Sequence, residues 1–191
     1  GIGTEGTSFQ FSISENNWLG KGIRLNTSLS VSEEKISGNI FVNNPNYNYS
    51  GNSVFTSIDI ANIDREASGY ETSRTAFVLG TEFEQYEDIY LAPQFNAVHE
   101  SIDVGTSSSS SVKKMDGTYN NIDFAYGVTV DKRNQAFQPT SGYRTKFSQT
   151  IPLIMESGSL LNGLDVSAYH AFSEDMIAST KFYARSIHGI D

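Results

Sequence analysis

The chain has 191 residues, with 13 Lys and Arg against 22 Asp and Glu, and so a formal charge of -9. That balance argues against a nucleic-acid binder that relies on phosphate neutralisation, and the lack of cysteine removes disulfides, cysteine-ligated zinc and thiol catalysis. No apolar run approaches the ~20 residues of a helical membrane span, whereas a barrel strand needs only ~9–11 residues with alternate ones polar and stays open. The length suits a single all-β domain, and 12 Phe with 10 Tyr are at home in strands and in the aromatic girdles of outer-membrane barrels. No basic region leads into an apolar segment at the start, and the chain begins as though cut from something longer.

Phe9, Phe11 and Ile13 alternate with Ser8, Gln10 and Ser12, which predicts a first strand at about 7–15. Asn16, Asn17, Gly20 and Gly22 frame a turn around Trp18 and Leu19. The second strand sets Ile23, Leu25, Thr27, Leu29 and Val31 against Arg24, Asn26, Ser28, Ser30 and Ser32, a face that suits water or a polar lumen. A turn at Glu33 to Lys35 leads to a strand at about 36–44, ended by Pro45, and Asn43 to Asn52 is a polar turn with tyrosines at its margin. Val54, Thr56, Ile58 and Ile60 mark a fourth strand, followed by a charged loop from Asn62 to Tyr70.

A strand at about 72–83 reverses through the acidic segment Glu84 to Asp88 into Tyr90 to Ile102, where Pro93 removes a backbone donor and predicts an irregular or lightly paired position. Asp103 to Gly117 carries five successive serines, Ser107 to Ser111, and then Lys113 and Lys114, and is expected to be a mobile loop. Ile122 to Val130 and Tyr143 to Ile151 each repeat with a period of two around Pro139 and Gly142, giving a strand, a structured turn and a second strand. Ile151 to Leu160 forms another connection. Leu164 to Phe172 continues a strand, Ser173 to Asp175 turns it, and Ala178 to Ala184 is the last clear strand.

The count is about ten antiparallel strands and no helix of ordinary length. Longer loops near 65, 110 and 155 and shorter turns near 19, 34, 48, 86 and 174 give a partial asymmetry of the kind seen in outer-membrane barrels. The period alone allows either a soluble sandwich or a membrane barrel.

No catalytic site is expected. His99, His170 and His188 are dispersed, without cysteine companions or H-E-x-x-H spacing, so packing or barrel lining accounts for them better than metal binding. No G-x-S-x-G positions a serine nucleophile. Glu33 and Glu34, and the series Glu82, Glu84, Glu87 and Asp88, read as solvated turns ahead of divalent-ion sites. Lys113 and Lys114 read as a solubilising pair or as a contact for lipopolysaccharide phosphate.

Three pieces in order, GIGTEGTSFQFSISENNWLGKG at the start, FVNNP at Phe41 to Pro45, and DKRNQAFQPTSG with Asp131, Arg133, Pro139, Thr140 and Gly142, make the chain resemble the bacterial surface antigen superfamily of sixteen-stranded outer-membrane insertases and transporters, and within it the BamA-type assembly barrels. The resemblance implies a transmembrane antiparallel β-barrel in the bacterial outer membrane, of which residues 1–191 supply about ten N-terminal strands of sixteen. The POTRA domains, the C-terminal strands and the VRGF-like motif have no counterpart in these residues.

The implied function is folding and insertion of outer-membrane proteins without cofactors or covalent chemistry. Unfolded β-barrel clients, outer-membrane lipids, lipopolysaccharide and, through POTRA domains, assembly lipoproteins would be the partners; nucleic acid would not. Phe9, Gln10, Phe11, Ser12 and Ile13 would form the lateral-gate strand, templating a client by main-chain pairing. Trp18 and Leu19 would sit in a periplasmic membrane-boundary turn. Asp131 and Arg133 would form an ion pair that, with Pro139 and Gly142, fixes the hairpin. A related secretion or autotransporter-assembly barrel, and a soluble β-sandwich binding module, are the alternatives. A partial barrel is expected to aggregate or oligomerise in water.

Overall fold

The computed structural model describes residues 2–3, 6–65, 68–106, 108–155, 158–173 and 175–190. A short hairpin, β1 (Ile2–Gly3) with β2 (Gly6–Thr7), leads into β3 (Phe9–Trp18), β4 (Ile23–Val31) and β5 (Lys35–Asn44). A 3₁₀ turn at Tyr47–Tyr49 precedes β6 (Ser53–Arg65), β7 (Tyr70–Tyr86) and β8 (Ile89–Val104). The single-turn helix α1 (Ser110–Lys113) separates these from β9 (Gly117–Asp131), β10 (Ser141–Ile154), β11 (Gly158–Ala171) and β12 (Ile177–Ile190).

Strands β3 to β12 form one ten-stranded sheet in chain order, each antiparallel to the next, with β3 and β12 at its two edges. Such a meander follows from the sequence: tight turns join neighbours, and each strand alternates, so register is pinned wherever one face differs chemically from the other.

The faces differ in an unusual sense. Ile58, Ile60, Phe77 and Leu79 are exposed, while Ser57, Asp59, Ala76 and Val78 between them are covered. Among the described residues the buried apolar side chains are only Ala76, Ile102 and Ala125, of which Ile102 alone is large. Polar and small residues therefore line the more covered, inner face, and aromatic and branched residues line the open, outer one. Each exposed Ile, Leu or Phe left in water forgoes roughly 1.5–3 kcal/mol of burial, so this outer face fits an apolar surround. No second layer packs on it among the described residues, and the core that a soluble sandwich needs is absent.

Several boundaries differ from the sequence reading. The first long strand runs to Trp18, which pairs with Ile23, so the turn is Leu19 to Gly22. It is also not the first strand, since β1 pairs with β2 one residue before β3 begins. Strands β6 and β7 extend through most of the loop expected at 62–70, with Arg65 paired to Tyr70. Likewise β10 and β11 consume most of the connection expected at 151–160. Backbone pairing extends beyond the apolar rows because polar side chains at strand ends cost nothing in water.

The proposed loop asymmetry does not survive this. The short turn at 32–34 lies at the same end as 105–116, and the long connection 132–140 lies at the end shared by 19–22 and 87–88. Residues 66–67, 107, 156–157 and 174, parts of expected loops and turns, lie outside the described residues. Pro93 behaves as its chemistry requires: the β7–β8 ladder runs to Gly80 with Gln94, breaks opposite Ala92 and Pro93, and resumes at Phe83 with Leu91. Within the serine segment, Ser109 accepts a hydrogen bond from the Val112 N–H and caps α1, an ordering that composition concealed.

Candidate functional site

The end of the sheet that carries 19–22, 87–88 and 132–140 gathers most of the residues singled out from the sequence. In the β9–β10 connection, Arg133 donates from Nε to Asp131 Oδ1 at 2.7 Å and from Nη2 to Asp131 Oδ2 at 2.6 Å, a two-pronged fork. Arg133 Nη1 also donates to the Ala136 carbonyl at 3.2 Å, and Arg144 Nε lies 3.6 Å from the same aspartate. The hydrogen bond to Asp131 pushes the Arg133 guanidinium up from its ordinary value, so the arginine stays charged.

Gly142 has φ of +91°, and a Cβ there would meet the Lys132 carbonyl oxygen and the Arg133 Cα. Only glycine fits, because the chain on the other side of the turn lies directly against it. Asn134, which the sequence reading passed over, ties the two arms together. Its Oδ1 accepts from the N–H of Thr140 and of Ser141, and its Nδ2 donates to Thr140 Oγ1 at 2.8 Å. The available signal was an Asn within a polar turn, the residue best suited to mimic a backbone turn with its side chain. Pro139 stands immediately before this clasp.

The Leu19 to Gly22 turn is built similarly. Leu19 and Gly20 have φ of 59° and 69°, the Lys21 N–H donates to the Trp18 carbonyl at 3.3 Å, and Asn17 Oδ1 accepts from the Gly22 N–H at 2.7 Å. Leu19 thus holds a left-handed backbone while exposing 68% of its surface. Phe9, Gln10, Phe11, Ser12 and Ile13 sit on the other part of the same edge strand, paired to β4 from Phe9 with Val31 through Ile13 with Thr27. They are not near the Asp131 clasp in the sheet order.

The histidines are apart: His99 shares a 2.8 Å hydrogen bond with Asn120, and His170 stands edge-on to Phe172. Among the described residues no three His, Cys, Asp or Glu are grouped to hold a metal ion. The turn acids act locally, as where Glu84 accepts from the Asp88 N–H.

An antiparallel ten-stranded meander with an apolar outer face and a polar inner face is consistent with a partial β-barrel, and among the described residues its edges β3 and β12 are not joined. The chain belongs to the Omp85 superfamily, whose domain matches residues 3–190. Its fold is also similar to that of BamA from Haemophilus ducreyi lacking POTRA domains 1-3, with a TM-score of 0.70 at 17% identity, covering 97% of this chain and 39% of that one. The chain therefore spans well under half of that relative.

Proposed function

We propose that this chain is part of a bacterial outer-membrane assembly barrel of the BamA type, which folds and inserts β-barrel clients at the N-terminal edge of its sheet. The carrying observation is β3, an edge strand that among the described residues pairs only to β4 along Phe9 to Ile13 and is flanked by an outer face fit for lipid. An unpaired edge offers main-chain donors and acceptors in strand geometry, so it can template an incoming hairpin without reading its exact sequence. The β1–β2 hairpin precedes β3 as a separate two-stranded sheet, so the gate in this reading is β3 itself.

In this reading Trp18 and Leu19 hold the β3–β4 turn at the periplasmic membrane boundary, with the indole N–H reaching headgroups or water. The Asp131–Arg133 pair, Pro139 and Gly142 keep the β9–β10 hairpin rigid at the same rim. Unfolded outer-membrane clients, lipid and lipopolysaccharide are the partners on the barrel side. Domains outside residues 1–191, of the POTRA kind, would recruit the rest of an assembly complex.

The test places a photo-crosslinking amino acid at Phe11, and at Leu79 on the outer face of a central strand as a control, in the full-length protein during assembly of a client barrel. Crosslinks from Phe11 to the client, absent from Leu79, are expected. Crosslinks from Phe11 only to an earlier strand of the same chain would make β3 an interior strand and overturn the assignment.

A further inference from the structure

On the inner face of β10 to β12 the chain concentrates positive charge against its overall sign. A cleft of about 420 Å³ is lined by Arg133, Arg144, Lys146 and Lys181 together with Tyr169 and Tyr183. Asp165 also lines the cleft and is engaged by Arg185 at 2.6 Å, and the neighbouring Asp131 is engaged by Arg133 and Arg144. Lys146 and Lys181 take part in none of the ion pairs among the described residues. In a chain of net charge -9, two uncommitted ammonium groups and a half-exposed Arg144 in one cleft are a local field of the opposite sign.

The register fixes the spacing of these groups. Arg144, Ser167 and Lys181 form one cross-strand row, and Lys146, Asp165 and Tyr183 form the next. Rows two residues apart lie about 6.8 Å from one another, and positions two strands apart lie about 9.6 Å from one another. Lys146, whose partner on β9 is Thr129, lies across the sheet toward the diagonal Gly127, where an added Cβ would stand 3.4 Å from Lys146 Cε. The spacing of Arg144 and Lys146, two residues apart along β10, matches carboxylates two residues apart on an extended chain, while Lys181 stands across the sheet, about 9.6 Å from Arg144 and farther from Lys146.

We propose that this cleft binds an acidic polypeptide segment in extended conformation along β10, with Arg144 and Lys146 pairing to alternate carboxylates, Lys181 adding positive charge from β12 and the Tyr183 hydroxyl donating between them. The occupant is a peptide, recognised by charge and spacing, and it binds inside the barrel wall rather than at the edge where a client strand would pair.

The test uses the full-length protein in detergent and a fluorescein-labelled Glu-Ser-Glu-Ser-Glu peptide, read by anisotropy at low salt. Saturable binding is expected, weakened at least tenfold by Lys146→Gln with Lys181→Gln, retained by Lys146→Arg with Lys181→Arg, and unchanged by Lys113→Gln with Lys114→Gln. Retention of heat-modifiable gel mobility verifies that each variant is folded. Equal binding of the Gln-Ser-Gln-Ser-Gln peptide, or no loss in the double glutamine variant, would overturn the proposal. So would binding of inositol hexakisphosphate with no binding of the acidic peptide, since that would make the cleft a phosphate site.

Discussion

Arg133 grips the carboxylate of Asp131 with two nitrogens, 2.7 and 2.6 Å from its two oxygens, across a single intervening residue. The pair joins the last residue of β9 to the connection that follows, and Arg144, the cross-strand partner of Asp131, adds a second cation from β10. Planarity is what lets one side chain satisfy both oxygens and still reach the Ala136 carbonyl.

Lysine should therefore fail at this position although it keeps the charge. Arg133→Lys and Arg133→Gln are both expected to lower the stability of the full-length barrel in micelles by about 1–2 kcal/mol, the upper part of that range being reached by glutamine. Urea unfolding followed by loss of heat-modifiable mobility measures it. A lysine variant as stable as the parent would reduce the interaction to simple charge pairing.

At Gly142 the conflict is steric. An alanine there must accept φ of +91° and displace the Lys132 carbonyl and Arg133 backbone. Gly142→Ala is expected to cost at least about 2 kcal/mol, more than either substitution at Arg133. The Gly20→Ala variant is a useful contrast. Its φ is also positive, but nothing stands within 4 Å of the added carbon, so only the backbone penalty of about 1–2 kcal/mol applies.

The period of two made the sheet legible, because alternation is a direct record of which face each residue takes. That is why Ile23 to Val31 matches its strand to within a residue and why Pro93 falls at the ladder's break. Strand ends were less legible: Arg65 with Tyr70 and Ile154 beyond Pro152 are paired through backbone groups that leave little trace in side-chain pattern. The Asp131–Arg133 contact was reached through the family resemblance of the hairpin, and it joins charges two residues apart at the turn. Asn134 was not legible, since its role depends on Thr140 and Ser141 returning to it across six and seven residues. The cationic cleft was hidden for a similar reason, because Lys146 and Lys181 become neighbours only through the register of β10, β11 and β12.

A polar ladder crosses the outer face. Tyr126 donates to Gln149 Oε1 at 3.0 Å, Gln149 Nε2 to Asn162 Oδ1 at 2.7 Å, and Asn162 Nδ2 to Ser186 Oγ at 3.2 Å. The row is flanked by Phe147 and Leu164 on one side and by Phe124 and Ile151 on the other. In an apolar surround its members have only one another to bond. Gln149→Leu and Asn162→Leu should each destabilise the barrel by about 1 kcal/mol, and the double variant by less than their sum, with a coupling of roughly 0.6–1.7 kcal/mol. Additive costs in the double-mutant cycle would show that the ladder bonds contribute nothing jointly.

Exposure of the outer face leads to the behaviour of residues 1–191 produced alone. Phe9 and Phe182, 66% and 55% exposed, sit on the two edge strands, so apolar side chains and unpaired backbone occur together at both margins of the sheet. In water that combination favours edge-to-edge association, whereas detergent covers the apolar rows but does not supply the missing strands. The segment is expected to aggregate without detergent and to remain dispersed but readily exchanging at β3 and β12 with it, while β7 and β8 protect their amides. Light scattering and hydrogen exchange read both halves of this expectation. A monodisperse monomer in plain buffer, with protected amides in β3 and β12, would mean that the sheet satisfies its own edges and that the outer face is not built for lipid.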